Sequence, residues 1–140
     1  MTDTITAAEF EDRLVALCAG GRLTGLPRRQ RDTAILLASA TLWMSPGSVY
    51  TEREVNEALG RWLESGCPAL SLDVVTLRRE LVDRHYVDRD DSGRHYALAS
   101  GPPEWRFEDG IGRLDPSAVL ARARAEREER KRRHLGPGGR

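Results

Sequence analysis

Lysine is almost missing from this chain: Lys131 stands alone against 21 arginines. Arginine offers a planar fork suited to phosphate and carboxylate. A GC-rich coding sequence produces the same bias, so the bias assigns no function. Long apolar runs are also missing. The longest, Ala34 to Met44, is interrupted by Ser39 and Thr41. It is too short to cross a bilayer, no secretory leader is visible, and cytoplasmic residence is the simple expectation. Cysteine is reduced to Cys18 and Cys67. Their spacing suits no metal site and suggests no disulfide framework. The three histidines, His85, His95 and His134, form no HxH or HExxH pattern, and there is no CxxC, no GxSxG and no phosphate-cradling glycine loop. The expectation is a protein without catalytic residues, metal or cofactor.

Excess charge of one sign is absent as well. Formal net charge is zero, so the total names no partner. The distribution is more informative. Residues 22–31 carry Arg22, Arg28, Arg29 and Arg31 with no acid, and residues 117–140 carry eight bases against three acids. Between them, residues 32–98 hold eleven acids against seven arginines. Two basic islands flank an acidic middle.

Helix signals are clear along the chain. Thr6-Ala-Ala-Glu9 is a capping box opening a helix over Ala7 to Ala19, which Gly20-Gly21 ends. Arg28 to Trp43 is broadly apolar, as a buried helix is. Val49 and Tyr50 suit a short strand. Thr51-Glu-Arg-Glu54 is a second capping box, opening a helix from Glu52 to Leu63 that Ser65-Gly-Cys-Pro68 breaks. Ser71 or Asp73 caps a further helix that ends near His85. Tyr86 to Leu98 then reads as a β-hairpin turning on Asp91-Ser-Gly93. Residues 99–114, with Gly101-Pro-Pro103, read as a loop strap pinned by Trp105 and Phe107. Asp115-Pro116 opens a charged helix to about Leu135, and Gly136 onward reads as coil. Helix, helix and hairpin over residues 50–98 outline a winged helix-turn-helix. The expected fold is therefore mainly α with a small β-hairpin. It divides into an N-terminal helix (1–20), a core (21–98), a strap (99–115) and a basic C-terminal segment (116–140).

Several motifs in order carry a family resemblance. They are Gly21-Arg22-Leu23, Leu26-Pro27, the run Arg28-Arg-Gln-Arg31, Tyr50-Thr-Glu-Arg-Glu-Val-Asn-Glu57, Thr76-Leu-Arg-Arg-Glu-Leu-Val-Asp83, and Asp88-Arg-Asp90 with Gly93 and Tyr96. Over about residues 21–98 the chain resembles the bacterial family known as domain of unknown function 2087. The resemblance implies a winged-helix-like fold and a regulatory setting, since members occur alone or joined to ArsR-like transcriptional regulators. It implies no catalytic residues. The stretch from Ser65 to Leu72 is longer than the family's usual link between these helices.

The expected function is DNA binding in transcriptional regulation. On a helix turning about 100° per residue, Thr76 and Arg79 face away from Val74, Leu77 and Leu81, toward base edges or phosphate. Glu80 and Asp83 share that face. Arg28, Arg29 and Arg31, at a helix start, suit phosphate, and Arg94 suits a wing contact. Arg78 falls inside the apolar arc and so must pair or snorkel to the rim, with Glu54 the expected partner and Glu57 or Asp32 the alternatives. The alternative function is a protein-interaction module with little affinity for DNA. Homodimerisation through the first helix or the tail is open.

Overall fold

The structure is a computed structural model, and it describes residues 3–135. The coil expected from Gly136 onward lies outside the described residues.

Helix α1 (Ala7–Cys18) begins as expected, with the Thr6 hydroxyl accepting the Glu9 N–H at 3.1 Å. Its Phe10, Leu14 and Cys18 are buried. Helix α2 (Gln30–Ala40) is shorter than the apolar pattern suggested. Pro27 supplies no N–H and Arg29 provides no side-chain cap, so the first helical turn closes only when the Arg29 carbonyl accepts from Thr33. Every residue from Asp32 to Ala40 is buried. A buried carboxylate requires a partner. Both Asp32 oxygens accept from Arg13 on α1, each at 3.0 Å. Buried Ser39 likewise accepts the Trp62 indole N–H at 2.9 Å.

Strand β2 (Tyr50–Thr51) leads directly into α3 (Glu52–Arg61), whose capping box of Thr51 and Glu54 is complete. The helix does not simply break at Ser65. It widens into a π-helical turn over Trp62–Gly66, closed by Cys67 N–H to Trp62 C=O at 2.9 Å. Only glycine fits at 66, because a Cβ there would run into the Trp62 ring.

This turn delivers Cys67 to Cys18, with the Cα atoms 4.4 Å apart and both residues fully buried, and the two form a disulfide. The expectation of unlinked cysteines is therefore corrected. At a sequence separation of 49, only the tertiary fold brings them together. The lengthened link is held further along by Leu23, whose N–H donates to Ala69 C=O (2.9 Å) and whose C=O accepts from Ser71 (2.8 Å).

Helix α4 (Val74–Asp83) follows, capped by Asp73. The chain reverses at His85, which takes the left-handed conformation (φ 70°) usual just past a helix end. Strands β3 (Val87–Arg89) and β4 (His95–Leu98) form the hairpin. Strand β4 lies centrally, pairing antiparallel with both β2 and β3. The order helix, strand, helix, helix, strand, strand, with an antiparallel β2-β4-β3 sheet, gives the mainly α fold with a small β-hairpin that was expected.

The strap is not a plain loop. Residues Trp105–Phe107 form strand β5, which pairs in parallel with β1 (Asp3–Ile5), and a 3-10 turn covers Ile111–Arg113. Three residues are too few for a periodic signal, and the partner lies about a hundred positions away in sequence. Phe107 meets Phe10 edge-on, with ring centroids 6.4 Å apart, so the expected pinning role stands. Helix α5 (Pro116–Leu135) starts where Asp115 accepts from the Ser117 N–H and hydroxyl. Its Val119 and Leu120 are buried in the same core as Phe10, Ile35 and Leu59. Beyond Ala121 almost every residue is exposed.

Candidate nucleic-acid interface

A reading helix requires free donors on its outer face. On α4, Arg79 is exposed and, among the described residues, has no hydrogen-bond or ion-pair partner. Thr76 is different. Its N–H donates to Asp73 at 2.8 Å and its hydroxyl donates to the same carboxylate at 2.9 Å. These bonds hold the Asp73 carboxyl below the usual carboxylate range. The Thr76 proton is thus engaged in capping the helix. Asp-x-x-Thr is a capping pattern, and it was readable in the sequence.

Arg78 is anchored as an apolar-arc arginine must be, but the expected partner is corrected. Its guanidinium meets Glu52 (2.9 Å) and Asn56 (2.6 Å) and lies 5.8 Å from the centroid of the Tyr96 ring. Glu54, two residues further on in the first turn, is held in the cap instead, accepting the Thr51 N–H at 2.8 Å, and the same capping bonds lower its pKa. Glu57 pairs with Arg53, and Asp32 with Arg13. Arg78 consequently ties α4 to the start of α3 and to the central strand.

The basic run at the start of α2 divides. Arg28 and Arg29 are exposed without a partner among the described residues. Arg31 turns inward toward the β1–β5 sheet. It makes a short bidentate contact with Glu9, donates to Thr4 C=O at 2.9 Å, approaches Asp3 at 3.6 Å and stacks 5.4 Å from the Trp105 ring centroid. The hydrogen bond from Arg31 lowers the Glu9 pKa. Arg31 is a clamp between the N-terminal strand, α1 and the strap, and its donors are already used. Gln30 and Arg84 meet at 3.4 Å, which sets the start of α2 beside the end of α4. Thr76 lies at the other end of that helix, about 12 Å away along the axis.

In the β3–β4 hairpin, Asp90 builds the turn. Its carboxylate accepts from the Ser92 hydroxyl (3.0 Å), Arg94 N–H (2.9 Å) and His95 N–H (3.2 Å), and meets His95 Nδ1 at 2.8 Å. The His95 contact leads these in pushing its pKa well below the usual carboxylate range. Gly93 takes φ +71°, and the Arg89 guanidinium covers it. The Arg94 side chain is exposed and has no partner among the described residues.

The fold therefore presents Arg79 on α4, Arg94 on the β3–β4 hairpin, and Arg28 and Arg29 at the far end of α4 as accessible cations. No group of three His, Cys, Asp or Glu among the described residues is placed to hold a metal. No described helix is long and apolar enough to cross a membrane. No curated protein and no solved structure matches the chain. Residues 22–98, more than half of its length, match the family described as "Uncharacterized protein conserved in bacteria (DUF2087)", and the chain belongs to that family.

Proposed function

We propose that this protein is a non-catalytic DNA-binding protein acting in bacterial transcriptional regulation, with α4 set against a groove and the β3–β4 hairpin as the wing. The observation that carries the reading is the β2-β4-β3 sheet beside α3 and α4, with Arg79 unpartnered on the outer face of α4. Arg79 and Arg94 contact phosphate or base edges, and Arg28 and Arg29 hold backbone phosphate where α2 meets the end of α4. Arg31, and Thr76 through its hydroxyl, support this surface from behind rather than touching DNA.

A second reading is favoured by one specific observation. Glu80 and Asp83 flank Arg79, and Glu80 is already paired with Arg84 at 2.8 Å. Such a mixed face suits a protein partner, and the module then has little affinity for DNA.

Electrophoretic mobility shifts on mixed-sequence duplex DNA across a salt series decide between them. The DNA reading expects binding that weakens steeply with salt, and Arg79→Ala and Arg94→Ala each reduce the log–log salt slope by about one. No shift at low salt overturns it in favour of the protein-interaction module.

A further inference from the structure

Beside the Gln30–Arg84 contact the protein holds an open-mouthed cavity of about 530 Å³. This volume falls within the range of small-molecule sites. Its apolar surface comes from Ala34, Leu37 and Pro102, with the Tyr86 and Trp105 rings beside them. Tyr86 is buried and its hydroxyl donates to Ala34 C=O at 3.3 Å, so this part of the lining is fixed. The strap side is fixed as well. Gly101 (φ +93°) donates its N–H to the His85 carbonyl at 3.0 Å, and Ala99 donates to that of Tyr86 at 3.0 Å. The cavity lies between elements that are already braced, and not in a loose loop.

The charges around it point to one class of ligand. Two carboxylates line it, Asp83 and Glu104, and neither has an ion pair or hydrogen bond among the described residues. Asp83 is the last residue of α4, where the helix dipole is negative and a carboxylate is disfavoured. A cation beside it removes that cost. Arg84 is the arginine of the lining, and it is engaged: Nε donates to Glu80 at 2.8 Å and the guanidinium reaches Gln30 at 3.4 Å. No free guanidinium is left to hold an anion. The aromatic rings suit the apolar body of a ligand, and their faces attract a positive charge.

We propose that this cavity binds a small organic cation, an amine on an aromatic or compact apolar body, with its ammonium between Asp83 and Glu104 and its body against Tyr86 and Trp105. The site is independent of whether the protein binds DNA. It lies where the start of α2, the end of α4 and the strap converge, so an occupant bridges all three.

The test uses the full chain and three matched probes: 2-phenylethylamine (cation), 2-phenylethanol (neutral) and phenylacetate (anion). Binding is followed by two-dimensional amide and indole NMR. The expected result is saturable shifts at His85, Gly101 and the Trp105 indole with the amine, and at least tenfold weaker binding of the other two. Glu104→Gln and Asp83→Asn, both exposed positions, should each weaken the amine at least threefold while leaving the remaining spectrum in place. Tighter binding of phenylacetate overturns the ligand class. Absence of saturable shifts with all three, or amine shifts that persist unchanged in the Glu104→Gln, Asp83→Asn double variant, overturns the site.

Discussion

At the scale of single residues, the fold depends on polar groups that have been taken out of water with a partner in place. Arg13 and Asp32 form a bidentate pair with the carboxylate 6% exposed. Removing Arg13 strands that carboxylate, and loss of one partner from a buried pair is worth about 3–5 kcal/mol. Arg13→Ala should therefore lower the urea midpoint far more than Arg53→Ala, whose partner Glu57 is on the surface. Gly66→Ala should also destabilise, by about 1–3 kcal/mol as overpacking does, because the added methyl meets the Trp62 ring. Acid sensitivity follows from carboxylates whose pKa values are lowered in the fold: Glu9, Glu54, Asp73, Asp90 and Asp115. A depressed carboxyl contributes stability above its unfolded value and loses it as pH falls through the folded one. Stability by urea titration should be level with respect to these groups down to about pH 5 and decline below about pH 4, near ordinary carboxyl values. A decline setting in between pH 7 and 6 would need other groups. These residue roles were unevenly legible. Capping boxes and the need of Arg78 for a partner are local and readable. Which acid answers Arg78 depends on the angle between α3 and α4, which sequence does not state.

At the scale of elements, the disulfide is the connection of greatest consequence. It joins α1, which precedes the family segment, to the link inside that segment. Closing a loop of about 50 residues is worth about 4 kcal/mol in the chain-entropy account. Oxidised protein should be two hydrogens lighter than reduced protein by intact mass. Dithiothreitol should lower its denaturant midpoint, and Cys18→Ser, Cys67→Ser protein should no longer respond to the reagent. Equal midpoints with and without reductant in the unmutated chain would contradict this. Helices α1, α4 and α5 and the hairpin were legible because each carries its own cap or turn residue. Strands β1 and β5 were not, because each is three residues long and exists only through the other. The π-helical turn was hidden for a similar reason: the sequence marks Ser65–Pro68 as a break but not the route by which the chain leaves α3.

At the scale of the whole molecule, helix α5 divides into a docked half and a projecting half. Val119 and Leu120 lie in the core, while the segment from Arg124 onward is exposed. Leu120→Ala should cost about 2–5 kcal/mol. Ending the chain after Arg124 should leave the thermal midpoint nearly unchanged, and a large fall would show that the projecting half supports the fold. The basic islands seen in the sequence have separate fates. Part of the first is folded inward through Arg31, and of the second Arg122 is tied to Glu11 on α1 while the cations from Arg124 to Arg133 lie on the exposed part of α5. Zero net charge thus conceals accessible cations at α4, the β3–β4 hairpin and the start of α2, and only the three-dimensional arrangement tells them from arginines committed to the interior.

The pairing of β1 with β5 has a bearing on how the chain is made. Residues 3–5 leave the ribosome well before their partner at 105–107, with the whole family segment made in between. At about 5–20 residues per second, the earliest strand waits roughly 5–20 s with its edge unsatisfied. The hairpin and α4, whose contacts are close in sequence, assemble during that interval. Closing the β1–β5 pair is then a late, long-range event in biogenesis, and until it happens the β1 edge is open to mispairing.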